Sequence, residues 1–202
     1  SLYQMEAERI ICFEFDTKAG KENLYAEFFA KGNFIFCDAS DTILVAEEYV
    51  AFKDRSIKPK LKYSYPHLAY NLFSVKENEL AALFKNSTKD SLVKSLAVEL
   101  GLGGAFSEEV CLLSSLDKTK KPFELEKKEI EVLHKALVEL LHTSIAPGIV
   151  YGPNDVVPFP LQFYSGMTFK AFGSFNLAFE HYFTHFAVEK KSALEKQKEK
   201  LL

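Results

Sequence analysis

The first fifty residues contain several short, mainly apolar runs of the length and composition that are typical of β-strands. Lys31-Gly32-Asn33 and Ala39-Ser40-Asp41 predict tight turns between these runs. The pattern therefore predicts an antiparallel meander, with residues 49–52 as a candidate extension. The predicted strands, rich in Phe, Ile and Tyr, cover residues 9–16, 23–30, 33–39 and 42–46.

From Ser74 onward the apolar period lengthens to that of α-helices. Ser74-Val75-Lys76-Glu77 has the form of a capping box, Asp90 is a candidate N-cap, and Pro122 suits a helix start. The predicted core-facing residues of four successive helices are Leu80, Leu83 and Phe84; Leu92, Val93, Leu96, Ala97 and Leu100; Val110 and Leu113; and Ile130, Leu133, Leu137, Leu140 and Leu141.

Residues 147–173 hold four of the seven prolines and four of the nine glycines, which predicts short strands with irregular connections. The candidate strands are 149–151 and 161–164. A helix with an aromatic face follows, marked by Phe175, Ala178, Phe179, Tyr182, Phe183 and Phe186. It runs into a charged tail in which Ala187, Leu194 and Leu201 lie seven residues apart, a spacing that suggests the start of a coiled coil.

Prolines at 59 and 66 interrupt the strand pattern and predict a domain boundary. We expect an α+β protein with four parts. Residues 1–70 form an antiparallel β region, and residues 71–125 form a helical domain with a glycine hairpin. Residues 126–186 contain an amphipathic helix, an irregular β segment and the aromatic helix, and residues 187–202 begin a coiled coil.

The formal net charge of -3 gives no overall attraction to nucleic acid, so any such binding has to come from a local arrangement of charges. The three cysteines show no CxxC spacing, which favours a reducing compartment over a disulfide scaffold. No apolar run is long enough to span a membrane. We therefore expect a cytoplasmic protein without a membrane association.

The stretch Leu100-Gly101-Leu102-Gly103-Gly104 lies between two predicted helices. A helix-hairpin-helix of this kind uses glycine to reach positive φ and to bring backbone N–H groups close to a phosphate. Lys94 on the preceding helix and Lys118 beyond the following one are candidates for added positive charge, as are Lys120 and Lys121. The alternative is an ordinary αα-hairpin whose glycines only end a helix.

Glu8-Arg9 opens the apolar run Ile10-Ile11-Cys12-Phe13. The chain has only two arginines, Arg9 and Arg55, among 25 basic residues, so planar bidentate donors exist at only two positions. Adjacent strand residues point to opposite faces, and the pair forms one clamp only if the strand begins at Arg9. A salt bridge at the sheet edge is the alternative interpretation.

Nothing in the sequence predicts catalysis. There is no nucleophile elbow, Walker loop or GxGxxG motif, and the carboxylates show no pairing pattern. His181 and His185 have the i, i+4 spacing of a zinc pair, but no acidic or cysteine partner stands at a suitable distance in the sequence. We expect no metal, no cofactor and no enzymatic activity.

Three runs occur in an order that resembles the NFACT family, also called fibronectin-binding protein A-like proteins. They are Glu8 to Phe15, Phe29 to Asp38, and Leu96 to Cys111 with the glycine hairpin. Phe159-Pro160-Leu161 and the aromatic run Phe172 to Phe183 fit the segment before that family's coiled coil. The resemblance covers residues 5–186.

The resemblance implies an N-terminal domain related in fold to formamidopyrimidine-DNA glycosylases, then a helix-hairpin-helix domain and a long coiled coil. It implies binding to the large ribosomal subunit beside a peptidyl-tRNA, recruitment of alanyl-tRNA, and partner contacts made by the coiled coil. The family's Asp-Arg pair for tRNA recruitment falls on Glu8 and Arg9, with Glu in place of the usual Asp. The family's first part and most of its coiled coil are absent from this sequence.

The resemblance thus implies a tRNA- and ribosome-binding factor of ribosome-associated quality control, which supports C-terminal tailing of stalled nascent chains. Glu8 and Arg9 would contact tRNA, while Gly101, Gly103, Gly104, Lys94 and Lys118 would contact a nucleic-acid backbone. Two alternatives are a fibronectin-binding surface adhesin, after the family's older name, and a DNA-repair-like nucleic-acid-binding module, by analogy of fold.

Overall fold

The computed structural model describes residues 1–18, 20–52, 55–65 and 70–187. The chain divides into two compact units. The first contains Ser1–Val75 together with Glu99–Gly101, and the second contains Lys76–Val98 together with the chain from Leu102 onward. The predicted mixed α+β class is confirmed.

The first unit is built on a five-stranded antiparallel sheet in the order β1-β2-β3-β4-β5. The predicted meander is therefore correct, with one further strand at its edge. The strands are β1 (Leu2–Gln4), β2 (Ile10–Thr17), β3 (Gly20–Glu27), β4 (Asn33–Asp38) and β5 (Ile43–Ala46).

Strand β3 ends three residues earlier than the predicted 23–30 because the chain turns after Glu27. Ala30 and Gly32 have φ values of 52° and 80°, and the N–H of Gly32 donates to the carbonyl of Phe29 at 2.9 Å. Left-handed backbone at two positions is incompatible with a continuing strand.

The predicted extension of the meander through 49–52 is wrong. Strand β6 (Val50–Ala51) pairs with β7 (Ser56–Ile57) in a separate two-stranded sheet. Asn33 ties the chain before β6 to β4, because its side-chain amide donates to the carbonyl of Glu48 at 2.9 Å and accepts from the N–H of Glu48 at 3.1 Å.

Alternation along the strands places one set of apolar side chains in the core of the first unit. These buried residues are Ile10, Cys12, Tyr25, Ile35, Cys37, Ile43, Ala46, Ile57 and Tyr63. The opposite face of the sheet is also apolar, since the pairing register aligns Leu2, Phe13, Leu24, Phe36 and Val45 in one row across all five strands.

Among the described residues, the second unit contains five α-helices and a three-stranded sheet in the order β10-β8-β9. The helices are α1 (Glu77–Asn86), α2 (Leu92–Lys94), α3 (Gly104–Ser114), α4 (Lys127–Leu141) and α5 (Phe175–Tyr182). π-helical turns continue α2 through Ser95–Glu99 and α5 through Phe183–Ala187. The strands are β8 (Gly148–Val150), β9 (Asp155–Val157) and β10 (Phe169–Ala171).

The predicted inward faces of α1 and α4 are buried, including Leu80, Phe84, Leu133 and Leu137. The helix starts differ from the expected ones. The capping carboxylate of α1 is Glu79, which accepts the N–H of Lys76 at 2.7 Å, so the box lies two residues after the predicted position. The N-cap of α2 is Ser91 rather than Asp90, and Pro122 begins a separate 3-10 helix, Pro122–Glu124.

The predicted strand at 161–164 is wrong, because Gln162–Tyr164 forms a 3-10 helix. Glu109 of α3 binds the first two amides of this 3-10 helix. Its buried carboxylate accepts the N–H of Gln162 at 2.9 Å and the N–H of Phe163 at 2.7 Å. The predicted coiled-coil start, residues 187–202, lies outside the described residues except for Ala187.

Candidate nucleic-acid interface

Glu8 and Arg9 lie in the turn that joins β1 to β2. The N–H of Glu8 donates to the carbonyl of Met5 at 2.9 Å, and the N–H of Met5 donates to the carbonyl of Ile10 at 2.9 Å. Strand β2 begins at Ile10, so both residues precede the strand. Because neither is a strand residue, strand alternation does not force their side chains onto opposite faces of the sheet.

The side chain of Arg9 is exposed and that of Glu8 is half-buried. Within the described part of the chain, neither forms an ion pair, so the sheet-edge salt bridge expected as the alternative is not present there. Burial and the nearby charges of Glu6 and Glu8 raise the pKa of Tyr65. The turn thus offers an exposed guanidinium that forms no ion pair within the described residues, and a half-buried carboxylate that precedes it in the sequence.

Arg55, the other arginine, has the opposite environment. Its Nη1 lies 2.6 Å from Oε1 of Glu27, and its side chain is 5% exposed. Its guanidinium also lies over the Phe52 ring, 4.8 Å from the centroid. Rarity in the sequence singled out both arginines, and the structure leaves Arg9 as the one available to a ligand.

The predicted glycine hairpin joins the π-helical turn after α2 to the start of α3. Gly101 and Gly103 have φ values of 82° and 73°, which a residue with a Cβ rarely adopts. The N–H of Leu102 donates to the carbonyl of Leu96 at 3.1 Å, and that of Gly103 to Ala97 at 3.2 Å. These bonds fix the backbone conformation of the turn.

Helix α3 begins at Gly104 with Gly103 as its N-cap, and no side chain caps its first amides. A Cβ at Gly103 or Gly104 would meet no atom within 4 Å, so the backbone is open to approach from outside. Uncapped amides at a helix N-terminus favour an anion through their N–H groups and the helix dipole.

The two predicted lysines are both paired with carboxylates. Nζ of Lys94 lies 2.7 Å from Asp90, and Nζ of Lys118 lies 3.0 Å from Glu108. Lys120 likewise pairs with Glu129 at 2.7 Å. These partners reduce the positive charge near the hairpin below what the sequence suggested.

His181 and His185 are close but do not form a metal site with other residues. Their rings stack with centroids 4.1 Å apart, and Nε2 of His181 lies 3.3 Å from the hydroxyl of Tyr151. Burial and the charges of Lys170 and His185 lower the pKa of His181. No cluster of three potential ligands occurs among the residues that the structure describes.

The cysteines are unsuited to nucleophilic chemistry. Burial raises the pKa of Cys37 to about 12 and that of Cys111 to about 11. A thiol is reactive as its thiolate, so both side chains are inert near neutral pH.

A pocket of about 230 Å³ opens at the β3–β4 turn, and no motif in the sequence predicts a cavity there. Phe29, Val50 and Phe52 supply its apolar walls, and Asn33 and Glu48 supply polar groups. The walls come from two segments of the chain, residues 27–33 and 48–52, so only the folded chain brings them together. The turn residue Lys31 also lines the opening.

The family model for the NFACT N-terminal and middle domains matches residues 1–202. The chain is 33% identical over 209 residues to the archaeal Rqc2 homolog aRqcH of Methanocaldococcus jannaschii, a match that covers 98% of this chain and 31% of that protein. The chain therefore spans less than a third of the length of this relative.

Two solved structures share the fold. The N-terminal region of the fibronectin/fibrinogen-binding protein from Streptococcus suis has a TM-score of 0.62 at 19% identity, over 91% of this chain and 66% of that one. The fibrinogen-binding protein from Staphylococcus aureus has a TM-score of 0.65 at 14% identity, over 91% of this chain and 69% of that one. At these identities the similarity concerns architecture alone.

Proposed function

Because the chain belongs to the NFACT family, we propose that it is the tRNA- and large-subunit-binding part of a ribosome-associated quality-control factor. It recruits tRNA, alanyl-tRNA by the family resemblance, to obstructed large subunits that hold a peptidyl-tRNA, so that stalled nascent chains receive C-terminal tails. The 33% identity to the archaeal Rqc2 homolog supports a role of this type. The glycosylase-like fold, the helix-hairpin-helix and the coiled coil belong to the same proposal.

The observation that carries the proposal is the state of Arg9. Its guanidinium is exposed and has no ion-pair partner in the described residues, whereas the guanidinium of Arg55 is buried against Glu27. An unpaired guanidinium presents five donors that suit a phosphate or the edge of a nucleotide base. Arg9 therefore contacts the tRNA directly.

Glu8 assists Arg9 from the same turn. Its half-buried position beside Tyr65 restricts where the carboxylate can lie, and this residue stands where the family usually has Asp. We expect Glu8 to orient the arginine or to accept one hydrogen bond from RNA. The longer side chain places its oxygens farther from the backbone than Asp would.

The hairpin contributes a second contact to a phosphate. The amides that open α3 at Gly104 are uncapped and sterically accessible. Because Lys94 and Lys118 are paired with carboxylates, the backbone amides and not the lysines provide most of the attraction.

The chain acts by positioning and performs no bond chemistry of its own. Peptide transfer belongs to the ribosome, and the buried thiols and the stacked histidine pair supply no catalytic arrangement. The proposal places the protein in the cytoplasm, with no metal or cofactor, and with further partners bound through its coiled coil. No helix in the described ranges is both long and apolar enough to cross a bilayer.

The test is to purify the full-length protein from cells and to sequence the RNA that copurifies with it. One tRNA species enriched together with large-subunit RNA is the expected result, and Arg9→Ala should abolish the tRNA enrichment. Lys21→Ala, which removes another exposed positive charge from the same sheet, is the matched control and should leave it intact. Unselected RNA, or tRNA enrichment that survives Arg9→Ala, contradicts the proposal.

Adhesion at the cell surface is the alternative function. The names of the two structural neighbours refer to fibronectin and fibrinogen. At identities of 19% and 14%, however, the similarity supports a shared fold and not a shared ligand. Cell fractionation distinguishes the two, because an adhesin would be found at the surface without ribosomes.

A further inference from the structure

We propose that the pocket at the β3–β4 turn is a nucleobase slot, in which one unstacked base of a bound RNA stacks on the exposed part of Phe52 next to Phe29. This inference rests on the proposed function, because it assigns a base-binding subsite to the RNA that Arg9 contacts. It adds a ligand of defined chemistry and gives Phe29 and Phe52 a role in binding it.

The size of the pocket suits a single ring system. Its volume of about 230 Å³ is below the roughly 300–1,000 Å³ of pockets that hold drug-sized ligands. Its apolar walls are two phenylalanines and a valine, and it is open to solvent at the turn. A flat heteroaromatic ring gains most from such walls, because both of its faces are apolar and its edge is polar.

The guanidinium of Arg55 lies against both rings and helps to fix their positions. The guanidinium carbon lies 4.8 Å from the centroid of Phe52 and 5.6 Å from that of Phe29. A bidentate pairing with Glu27 fixes the guanidinium itself. A cation occupies one face of a ring, and Phe52 is still 44% exposed, so the ring offers stacking area to a ligand.

The polar groups at the pocket favour bases with an amino group. Glu48 lines the opening with an exposed carboxylate, which accepts hydrogen bonds only. Adenine, cytosine and guanine carry an exocyclic amino group with two N–H donors, whereas the pairing edge of uracil offers only the single ring N3–H donor. The slot should therefore bind the first three bases more tightly than uracil.

The position of the slot links it to Arg9. The N–H of Phe28 donates to the carbonyl of Arg9 at 2.8 Å, so the residue before Phe29 is bonded directly to the backbone of the arginine turn. Lys31, which is exposed at the pocket opening, adds a second positive charge for the neighbouring phosphate. A nucleotide can thus place its base in the slot and its phosphate against basic side chains on the same end of the sheet.

The direct test is titration of the full-length protein with AMP, CMP, GMP and UMP, followed by NMR of the Val50 and Ala30 methyl groups. We expect saturable shifts in the millimolar range, with UMP the weakest ligand. Phe52→Leu keeps the apolar volume but removes the stacking face, so it should abolish the shifts. Phe15→Leu is the matched control, since Phe15 is also 44% exposed and lies near the opposite end of β2.

RNA affinity gives the second readout. Loss of one base–aromatic stack should weaken binding of the copurifying tRNA by about tenfold in Phe52→Leu, with no change in Phe15→Leu. If Arg9→Ala abolishes tRNA binding and Phe52→Leu binds tRNA as tightly as the natural sequence, the slot is wrong and the proposed function stands. If no RNA copurifies, the proposed function fails, but the mononucleotide titration still tests the slot. The slot is then wrong if no saturable shift occurs or if the shifts persist in Phe52→Leu.

Discussion

Arg55 and Glu27 form a buried bidentate ion pair. Nη1 of Arg55 lies 2.6 Å from Oε1 of Glu27, and Nη2 lies 3.0 Å from Oε2, with the two side chains 5% and 4% exposed. The hydroxyl of Tyr63 donates to the same carboxylate at 2.9 Å. Burial by itself would lower the pKa of Arg55, but the hydrogen bonds and charge of Glu27 outweigh it and raise that pKa.

Replacing Glu27 with Gln should destabilise the protein by about 3–5 kcal/mol, because the charge of Arg55 would stay buried without a partner. Urea unfolding followed by far-UV circular dichroism measures the change. Glu22→Gln on the same strand is the control, since Glu22 has no ion pair in the described residues, and it should change stability by less than about 0.5 kcal/mol. Equal losses in the two variants would show that the pair adds nothing specific.

Glu109 should be needed for the 3-10 helix at Gln162–Tyr164. In Glu109→Gln an amide NH₂ replaces one oxygen, so one of the two backbone N–H groups of Gln162 and Phe163 loses its acceptor. We expect a loss of about 2–3 kcal/mol, because hydrogen bonds to a charged group are worth about 1.5–3 kcal/mol each.

Hydrogen exchange provides the specific readout for Glu109→Gln. The amides of Gln162 and Phe163 should exchange faster, while those of α1 should change only with global stability. Glu108→Gln removes the neighbouring, more exposed carboxylate that pairs with Lys118 and should cost less than about 1 kcal/mol. Unchanged exchange at Gln162 and Phe163 would rule out this role for Glu109.

Stability should fall above about pH 9 because of the buried thiols. Burial raises the pKa of Cys37 to about 12 and that of Cys111 to about 11, whereas an unfolded cysteine titrates near about 8.5. The contribution is fully present below the unfolded pKa. It is lost as the pH rises toward the folded pKa, since the unfolded state then releases protons that the folded state keeps.

The measurement is the urea midpoint between pH 8 and pH 10.5. Cys111→Ala should lower the midpoint at pH 8 through the lost side-chain volume, yet it should make the decline with pH shallower. A decline that is equally steep in Cys111→Ala and in the natural sequence would assign the effect to other groups. Alkylation of the native protein by iodoacetamide at pH 8 should accordingly be slow.

Local periodicity explains why much of the fold could be predicted. Strands β2, β4 and β5 and the inward faces of α1 and α4 follow from alternation and helical spacing, which are properties of neighbouring residues. Strand β1 was missed because three residues carry too little pattern. The 161–164 segment was misassigned because its conformation depends on Glu109, more than fifty residues away in the sequence.

The candidate site likewise combines residues that the sequence itself indicates with features that only the folded chain shows. The rarity of arginine and the glycine spacing drew attention to Arg9 and to the hairpin, since both signals lie in the sequence itself. The pocket at Phe29 and Phe52 and the pairing of Lys94 and Lys118 with carboxylates depend on tertiary placement. A charged residue inside an apolar run, as at Glu27 between Ala26 and Phe28, was the one available signal for the buried ion pair.

Gly104→Ala separates the structural role of the hairpin from a role in binding. Gly104 is the first residue of α3, its φ is outside the left-handed region, and a Cβ there would meet no atom within 4 Å. Alanine should therefore stabilise the protein slightly, by about 0.5 kcal/mol, by reducing the freedom of the unfolded chain. The added methyl group nevertheless stands where a phosphate would approach the first amides of the helix.

We expect Gly104→Ala to raise the thermal midpoint and to weaken tRNA binding several-fold, as measured by unfolding and by a tRNA filter-binding assay on the full-length protein. Gly173→Ala is the matched glycine control, since its Cβ would only touch Leu177 at 3.8 Å, and it should leave binding unchanged. Gly103→Ala should instead lose about 1 kcal/mol or more because of its φ of 73°. If Gly104→Ala is more stable and binds tRNA as tightly as the natural sequence, the hairpin is an αα-turn with no contact to a phosphate.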